Sequence, residues 1–239
     1  MSSAVSALSV VSQAREALCA VGASLFARGY VHATAGNISV RLPLDAGGGY
    51  LITPTDACLG RLDPARLAHV DAQGQQVSGD RASKTLVLHR RIYDAACAFD
   101  PATACVIHTH STHLVALSLH TTRWVSGLGI WPELLPPLTP YFVMKVGRVP
   151  VMPYDRPGAP AVAEAVAQAI THYGQQGVPL RAVMLPRLGP DVWHQDPWAA
   201  LATLEELEET ARLALLCPEA PALSDAEIAP LREVFGAVW

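Results

Sequence analysis

Charge is what this chain has least of. Only 16% of its 239 residues are Asp, Glu, Lys or Arg, against 51% hydrophobic residues. So low a charged fraction excludes a disordered or strongly solvated chain. It also leaves an apolar surface, part of which is expected to be covered by other subunits. The net charge of -4 lacks the basic excess that a nucleic-acid partner requires. Cysteine is sparse: Cys19, Cys58, Cys97, Cys105 and Cys217 are odd in number, scattered and never in a CxxC pair. That excludes a disulfide frame and a zinc knuckle and fits reduced thiols. No apolar run reaches the roughly 20 residues needed to span a bilayer. Ala4 to Val11 is small and apolar, but no basic residue precedes it, Arg15 and Glu16 interrupt it, and no cleavage pattern follows. The expectation is a cytoplasmic protein with neither nucleic acid nor membrane as partner. Neither a GxGxxG after a strand nor a P-loop is present, so nothing supports nucleotide-dependent chemistry.

What is there reads as one domain over residues 1–239, without repeats, low-complexity stretches or charged linkers. Val11, Ala14, Leu18, Val21 and Leu25 recur at steps of three and four, an amphipathic helix ended by Gly29 as a left-handed cap. Thr34 to Arg41 is a small-residue loop entering a strand, and Tyr50 to Thr53 is a strand stopped by Pro54. Val70 to Val77 reads as a hairpin around Gln73-Gly74. Ser83 to Ala98 is expected to be a helix with Ser83 as N-cap. Thr112 to Leu119 should be a short helix, residues 121–141 a proline-rich apolar loop, and Val143 to Val151 one or two strands. Ala161 to Tyr173 follows as a helix opened by Pro160. Ala182 to Leu185 and Val192-Trp193 should flank a turn at Leu188-Gly189-Pro190. Pro197 to Leu216 is a long helix with Glu205, Glu206, Glu208 and Glu209 expected on its solvated side. The last helix opens on the capping box Ser224-Asp225-Ala226-Glu227. Strands alternate with helices while hairpins break a pure βαβ rhythm. The fold class is therefore α/β, a mixed, mostly antiparallel sheet covered by helices.

The most informative stretch is Cys105-Val-Ile-His-Thr-His-Ser-Thr-His113. Residues i and i+2 of a strand point to one side, so His108 and His110 would present two imidazoles together at the end of a buried strand. That geometry suits one divalent metal.

Four motifs in order, Thr34-Ala-Gly-Asn-Ile-Ser, Ile52-Thr-Pro-Thr, Ser83-Lys84 and His108-Thr-His-Ser-Thr-His, resemble the class II aldolase/adducin family. Leu138-Thr-Pro-Tyr-Phe-Val-Met-Lys-Val-Gly-Arg and Leu204-Glu-Glu-Leu-Glu-Glu-Thr-Ala-Arg look like its 3-oxo-tetronate 4-phosphate decarboxylase branch. The resemblance implies a three-layer αβα domain, a homotetramer with sites at subunit interfaces, a sugar-phosphate substrate and a divalent metal, often zinc. Carried over by position, Gly36, Asn37, Thr55, Ser83 and Lys84 would cradle the phosphate. His108 and His110 would be metal ligands.

Two positions depart from the family pattern. A Glu expected directly after Ser83-Lys84, as acid/base and metal neighbour, is Thr85. A third histidine ligand, expected in an Asn-His-Gly turn, is Leu188 in Arg187-Leu188-Gly189. A threonine hydroxyl is no base near neutral pH, and leucine cannot ligate. His113 and His194 are candidate replacements for the lost ligand. Aldol cleavage needs the base; decarboxylation of a 3-oxo acid needs only positive charge or hydrogen-bond donors at the forming enolate oxygen. Lys84, Arg187 or a metal could supply it. The sequence thus supports a decarboxylase or, alternatively, a non-catalytic oligomeric phosphosugar-binding or scaffold protein.

Overall fold

The structure is a computed structural model describing residues 2–239, with side chains from residue 10 onward; Met1 lies outside the described residues. Seven strands form one sheet: β1 (Asn37–Arg41), β2 (Tyr50–Ile52), β3 (Ala68–Val70), β4 (Gln76–Ser78), β5 (Cys105–His108), β6 (Ala182–Leu185) and β7 (Gly189–His194). Their order is β4-β3-β2-β1-β5-β7-β6. Neighbouring strands all pair antiparallel, and among the described residues the one parallel element is an isolated bridge between Val151 and Met184.

The alternation of side chains along the central strands sorts the sequence into two cores. Ile38, Val40, Cys105, Ile107, Ala182, Met184 and Val192 point to one face. There they meet α1 (Ser2–Ala27) through Leu18, Val21 and Leu25, α3 (Thr112–Ser118) through Leu114 and Leu117, and α6 (Pro197–Leu216) through Leu204, Leu207 and Ala211. Val106, Val183, Leu185 and Trp193 point to the other face, against Ile92, Tyr93 and Ala96 of α2 (Leu86–Ala96) and Val166, Ala169, Ile170 and Tyr173 of α5 (Pro160–Gln175). Helices on both faces of the sheet make the three-layer αβα sandwich. No described helix is long and apolar enough to cross a membrane.

The local signals mostly hold. Gly29 is left-handed after α1, Gly74 turns the β3–β4 hairpin, and the capping box opens α7 (Asp225–Phe235). Four expectations are corrected. Residues 143–151 do not form strands of the sheet: Thr139 accepts the Phe142 amide and Pro140 occupies the first helical position, starting α4 (Pro140–Lys145). The valines that suggest a strand there are Val143 and Val146, three apart, and they are buried from helix α4 and its C-cap. Ser83 does not cap α2: Thr85 precedes the helix, and the Ser83 and Thr85 hydroxyls bond each other at 2.8 Å. The turn before β7 lies at residues 186–188, and β7 begins at Gly189. Glu208 is buried, not solvated; its carboxylate accepts the amides of His113 and Leu114 and faces His113 Nδ1 at 2.8 Å, closing the open end of α3.

Candidate active site

The site is built where β1, β5 and β7 run side by side. Asn37 pairs with His108, and His108 pairs with Asp191, so the three side chains form a row across the sheet on the α2/α5 face. Two glycines permit the close approach. A Cβ on Gly36 (φ +81) would lie 2.7 Å from Val31 and 2.9 Å from the His108 carbonyl. One on Gly189 would lie 1.8 Å from the Thr109 carbonyl. Only glycine lets the loop ahead of Asn37 and the start of β7 close on the histidine strand.

Above the row opens a cleft of about 660 Å³ whose wall includes Asn37, Lys84, Thr85, His108, His110, Leu188 and Asp191. β5 ends at His108, so His110 lies just past the strand, yet the two rings stay together, centroids 5.1 Å apart and nearly perpendicular. His108 Nδ1 lies 3.1 Å from the Pro190 carbonyl. A carbonyl can only accept, so Nδ1 carries a hydrogen. Burial, reinforced by His108 and His32, lowers the His110 pKa to about 4, which keeps that ring neutral near pH 7. Asn37 Oδ1 is buried without a partner, the mark of a polar group that a bound molecule would satisfy.

The expected cradle is only partly assembled around this cleft. Lys84 and Asn37 line it. Gly36 acts through its backbone. Ser83 and Thr55 are held in loops stitched together: Ser83 N–H donates to the Thr53 carbonyl, Thr55 N–H to Arg81, and the Thr55 hydroxyl to the Ala82 carbonyl. Thr55 thereby lines a neighbouring depression of about 510 Å³ instead. Arg187 is exposed and outside the cleft wall, its backbone left-handed (φ 66) and its N–H bonded to Ser118 Oγ.

Neither proposed replacement ligand reaches the pair. His113 is engaged by Glu208. His194 pairs with Cys105, at the far end of β5 from His108. The imidazole that does approach is His32, 6.3 Å from His110 by centroids. Nothing in the sequence pattern singles it out, because the link runs through a loop with Ala33 left-handed (φ 49). The sequence reading also misses Arg156 and Asp191 in the cleft wall. Among the described residues no group of three or more His, Cys, Asp or Glu is arranged to hold a metal. The donors that the cleft could offer a divalent ion are thus the two adjacent imidazoles of His108 and His110, fewer than the three protein ligands usual at an open zinc site.

This fold and cleft place the chain among known proteins. It belongs to the class II aldolase and adducin family, whose Class II Aldolase and Adducin N-terminal domain matches residues 16–215. A 3-oxo-tetronate 4-phosphate decarboxylase from Cupriavidus necator is 48% identical over 240 residues, covering 97% of this chain and all of that protein. Its Escherichia coli counterpart is 38% identical, covering 91% and 94% respectively. The crystal structure of YgbL from Escherichia coli superposes with TM-score 0.77 at 37% identity, covering 93% of this chain and 99% of the other. An L-fuculose 1-phosphate aldolase shares the fold, with TM-score 0.75 at 23% identity, covering 94% and 96%.

Proposed function

We propose that this chain decarboxylates a four-carbon 3-oxo acid 4-phosphate, the substrate class named for the relatives from Cupriavidus necator and Escherichia coli. One observation carries the reading: two adjacent imidazoles, an unpartnered amide oxygen and a lysine share the wall of one cleft. In the reaction the C1–C2 bond breaks and C1 leaves as carbon dioxide. The bonding electrons form an enolate across C2 and C3, and a proton taken up at C2 gives dihydroxyacetone phosphate. No base is needed for the first step, which accommodates Thr85. Lys84 and Arg156 are the cations of the cleft wall; they balance the phosphate and the enolate oxygen. Asn37 orients the substrate through its free amide oxygen or, with the amide turned, its NH₂. A divalent ion on His108 and His110, zinc foremost, supplies further positive charge beside the enolate oxygen when bound. Arg187 is left out of this scheme because it lies outside the cleft wall. The proposal includes a single domain over residues 1–239, a homotetramer and a cytoplasmic location, in keeping with the apolar composition and reduced cysteines.

The test is incubation with 3-oxo-tetronate 4-phosphate and coupled assay of dihydroxyacetone phosphate, with and without zinc or manganese. Turnover is expected; none above buffer in either condition overturns the reading. A second reading, a phosphosugar-binding or scaffold protein, is favoured by the presence of Thr85 and Leu188 in the cleft wall, where neither acts as base or ligand. Elemental analysis separates the two: stoichiometric metal in purified protein supports the enzyme, and its absence supports the binder.

A further inference from the structure

Asp191 is the least expected residue of the cleft. It is fully buried on β7, and among the described residues both carboxylate oxygens lack a hydrogen-bond partner and no lysine or arginine pairs with it. A carboxylate so placed is costly unless positive or N–H groups surround it. What surrounds it is imidazole: His108 Nδ1 lies 3.5 Å and His89 Nε2 3.9 Å from its Oδ1. Behind His89 the bonding continues into the core. Ser39 Oγ is 2.7 Å from His89 Nδ1 and 2.8 Å from the Tyr93 hydroxyl, which in turn reaches the Ser39 carbonyl at 3.0 Å.

The hydrogens of this row run coherently in one direction. With Tyr93 donating to Ser39 Oγ, the Ser39 hydroxyl is left to donate to His89 Nδ1. That leaves the His89 hydrogen on Nε2, facing the carboxylate. The opposite tautomer would set a lone pair against it. On the other side, His108 carries its hydrogen on Nδ1, toward the Pro190 carbonyl and Asp191. Both rings then turn an N–H edge toward the carboxylate across 3.5 and 3.9 Å, and the ring of His108 stands in the cleft wall.

We propose that Asp191 is a positioning residue: with His89 behind it, its carboxylate joins the Pro190 carbonyl in holding the tautomer and ring orientation of His108, so that a lone pair faces whatever the cleft binds. This rests on the reading of His108 as a metal ligand. Carboxylates behind ligating imidazoles raise their basicity, and losing one typically weakens metal binding by about 10- to 100-fold.

The experiment uses the full chain, stripped of metal and labelled with ¹⁵N-histidine. Two-bond ¹H–¹⁵N correlation reads the tautomer of each ring, with His108 assigned by its loss in His108→Gln. Wild type is expected to hold the hydrogen on Nδ1. In Asp191→Asn, which keeps the size and removes the charge, the His108 signals should move toward a mixture of tautomers, and zinc measured by calorimetry should bind at least about 10-fold more weakly. A wild-type ring protonated on Nε2 overturns the proposal, as does folded Asp191→Asn with unchanged His108 signals and zinc affinity. Should Asp191→Asn fail to fold, His89→Gln, which removes the N–H behind the carboxylate, is read the same way. If wild type binds no zinc, the metal reading of the cleft fails, while the tautomer comparison still decides the role of Asp191.

Discussion

At the scale of single residues, the cleft shows what two substitutions change and what they leave. Leu188 lines the wall beside His108 and His110 and is only partly buried, so a larger polar ring has room to turn toward the pair. Leu188→His should add a third imidazole and raise zinc affinity by at least about 10-fold, since open zinc sites normally hold three protein ligands. Calorimetry on metal-free protein checks it; unchanged affinity means the turn at residues 186–188 does not bring residue 188 within reach. Thr85→Glu combined with Leu188→His tests whether supplying a base and a third ligand brings aldol cleavage. Gly36 is the opposite case, a residue whose value is having no side chain. Gly36→Ala meets a left-handed backbone and contacts of 2.7 and 2.9 Å, so a loss of about 3 kcal/mol in urea unfolding is expected.

The histidine pair, Gly36 and Asn37 were legible in the sequence because their signals are local: i and i+2 on a strand, a Gly before an Asn in a loop. Asp191 and His89 were not. Asp191 sits in a run of ordinary strand residues and His89 within an amphipathic helix. What joins them is register, Asn37 to His108 to Asp191 across strands separated by long stretches of chain. No spacing rule carries that information. The placement of Thr55 was not legible for a related reason: its motif is intact, but its hydroxyl donates to the Ala82 carbonyl, and the residue lines the next depression.

At the scale of elements, a helix start could be readable while the group that closes it was not: α3 begins at Thr112 as its sequence suggests, whereas α4, capped by Thr139, reads as loop and strand. Ser224 and Glu227 announce α7, and Asp196, whose side chain accepts the amides of Trp198 and Ala199, starts α6. The short helix α3 has no side-chain cap of its own. Its first amides go to Glu208, nearly a hundred residues later on α6, and Glu208 lies in a glutamate-rich stretch that reads as a solvated face. This bond ties the segment after the histidine strand to the opposite helix layer. Glu208→Ala would strip two amides and His113 Nδ1 of a buried charged acceptor. The expected loss is about 3 kcal/mol, because hydrogen bonds to charged groups are stronger than neutral ones and the stranded donors stay desolvated. Chemical denaturation measures it, and a loss below about 0.5 kcal/mol would mean that water replaces the carboxylate.

At the scale of the whole molecule, the histidines respond to acid together. Burial lowers the pKa of His89 to about 4 and of His110 to about 4, and it is also the leading cause of the lowered values of His69 and His194. For His89, Asp191 pulls the other way and His108 adds to the lowering. The sign follows from proton uptake. Below the ordinary imidazole value of about 6.5 the unfolded chain binds a proton at each of these rings, while the folded chain resists until about pH 4 at His89 and His110. More protons on the unfolded state mean that stability rises with pH through this window, so it is complete above about pH 6.5 and lost on acidification toward 4. His89 is fully buried and contributes most, up to roughly 3 kcal/mol; His110 is half-buried, and its share is reduced by solvent screening. Urea midpoints measured at pH 7 and pH 4.5 should therefore fall steeply, and His89→Gln, which has no imidazole to protonate, should flatten the fall although it is less stable at pH 7. A His89→Gln slope equal to that of wild type would place the acid sensitivity elsewhere, and would mean that the buried row of Ser39, His89 and Asp191 takes up its proton without unfolding.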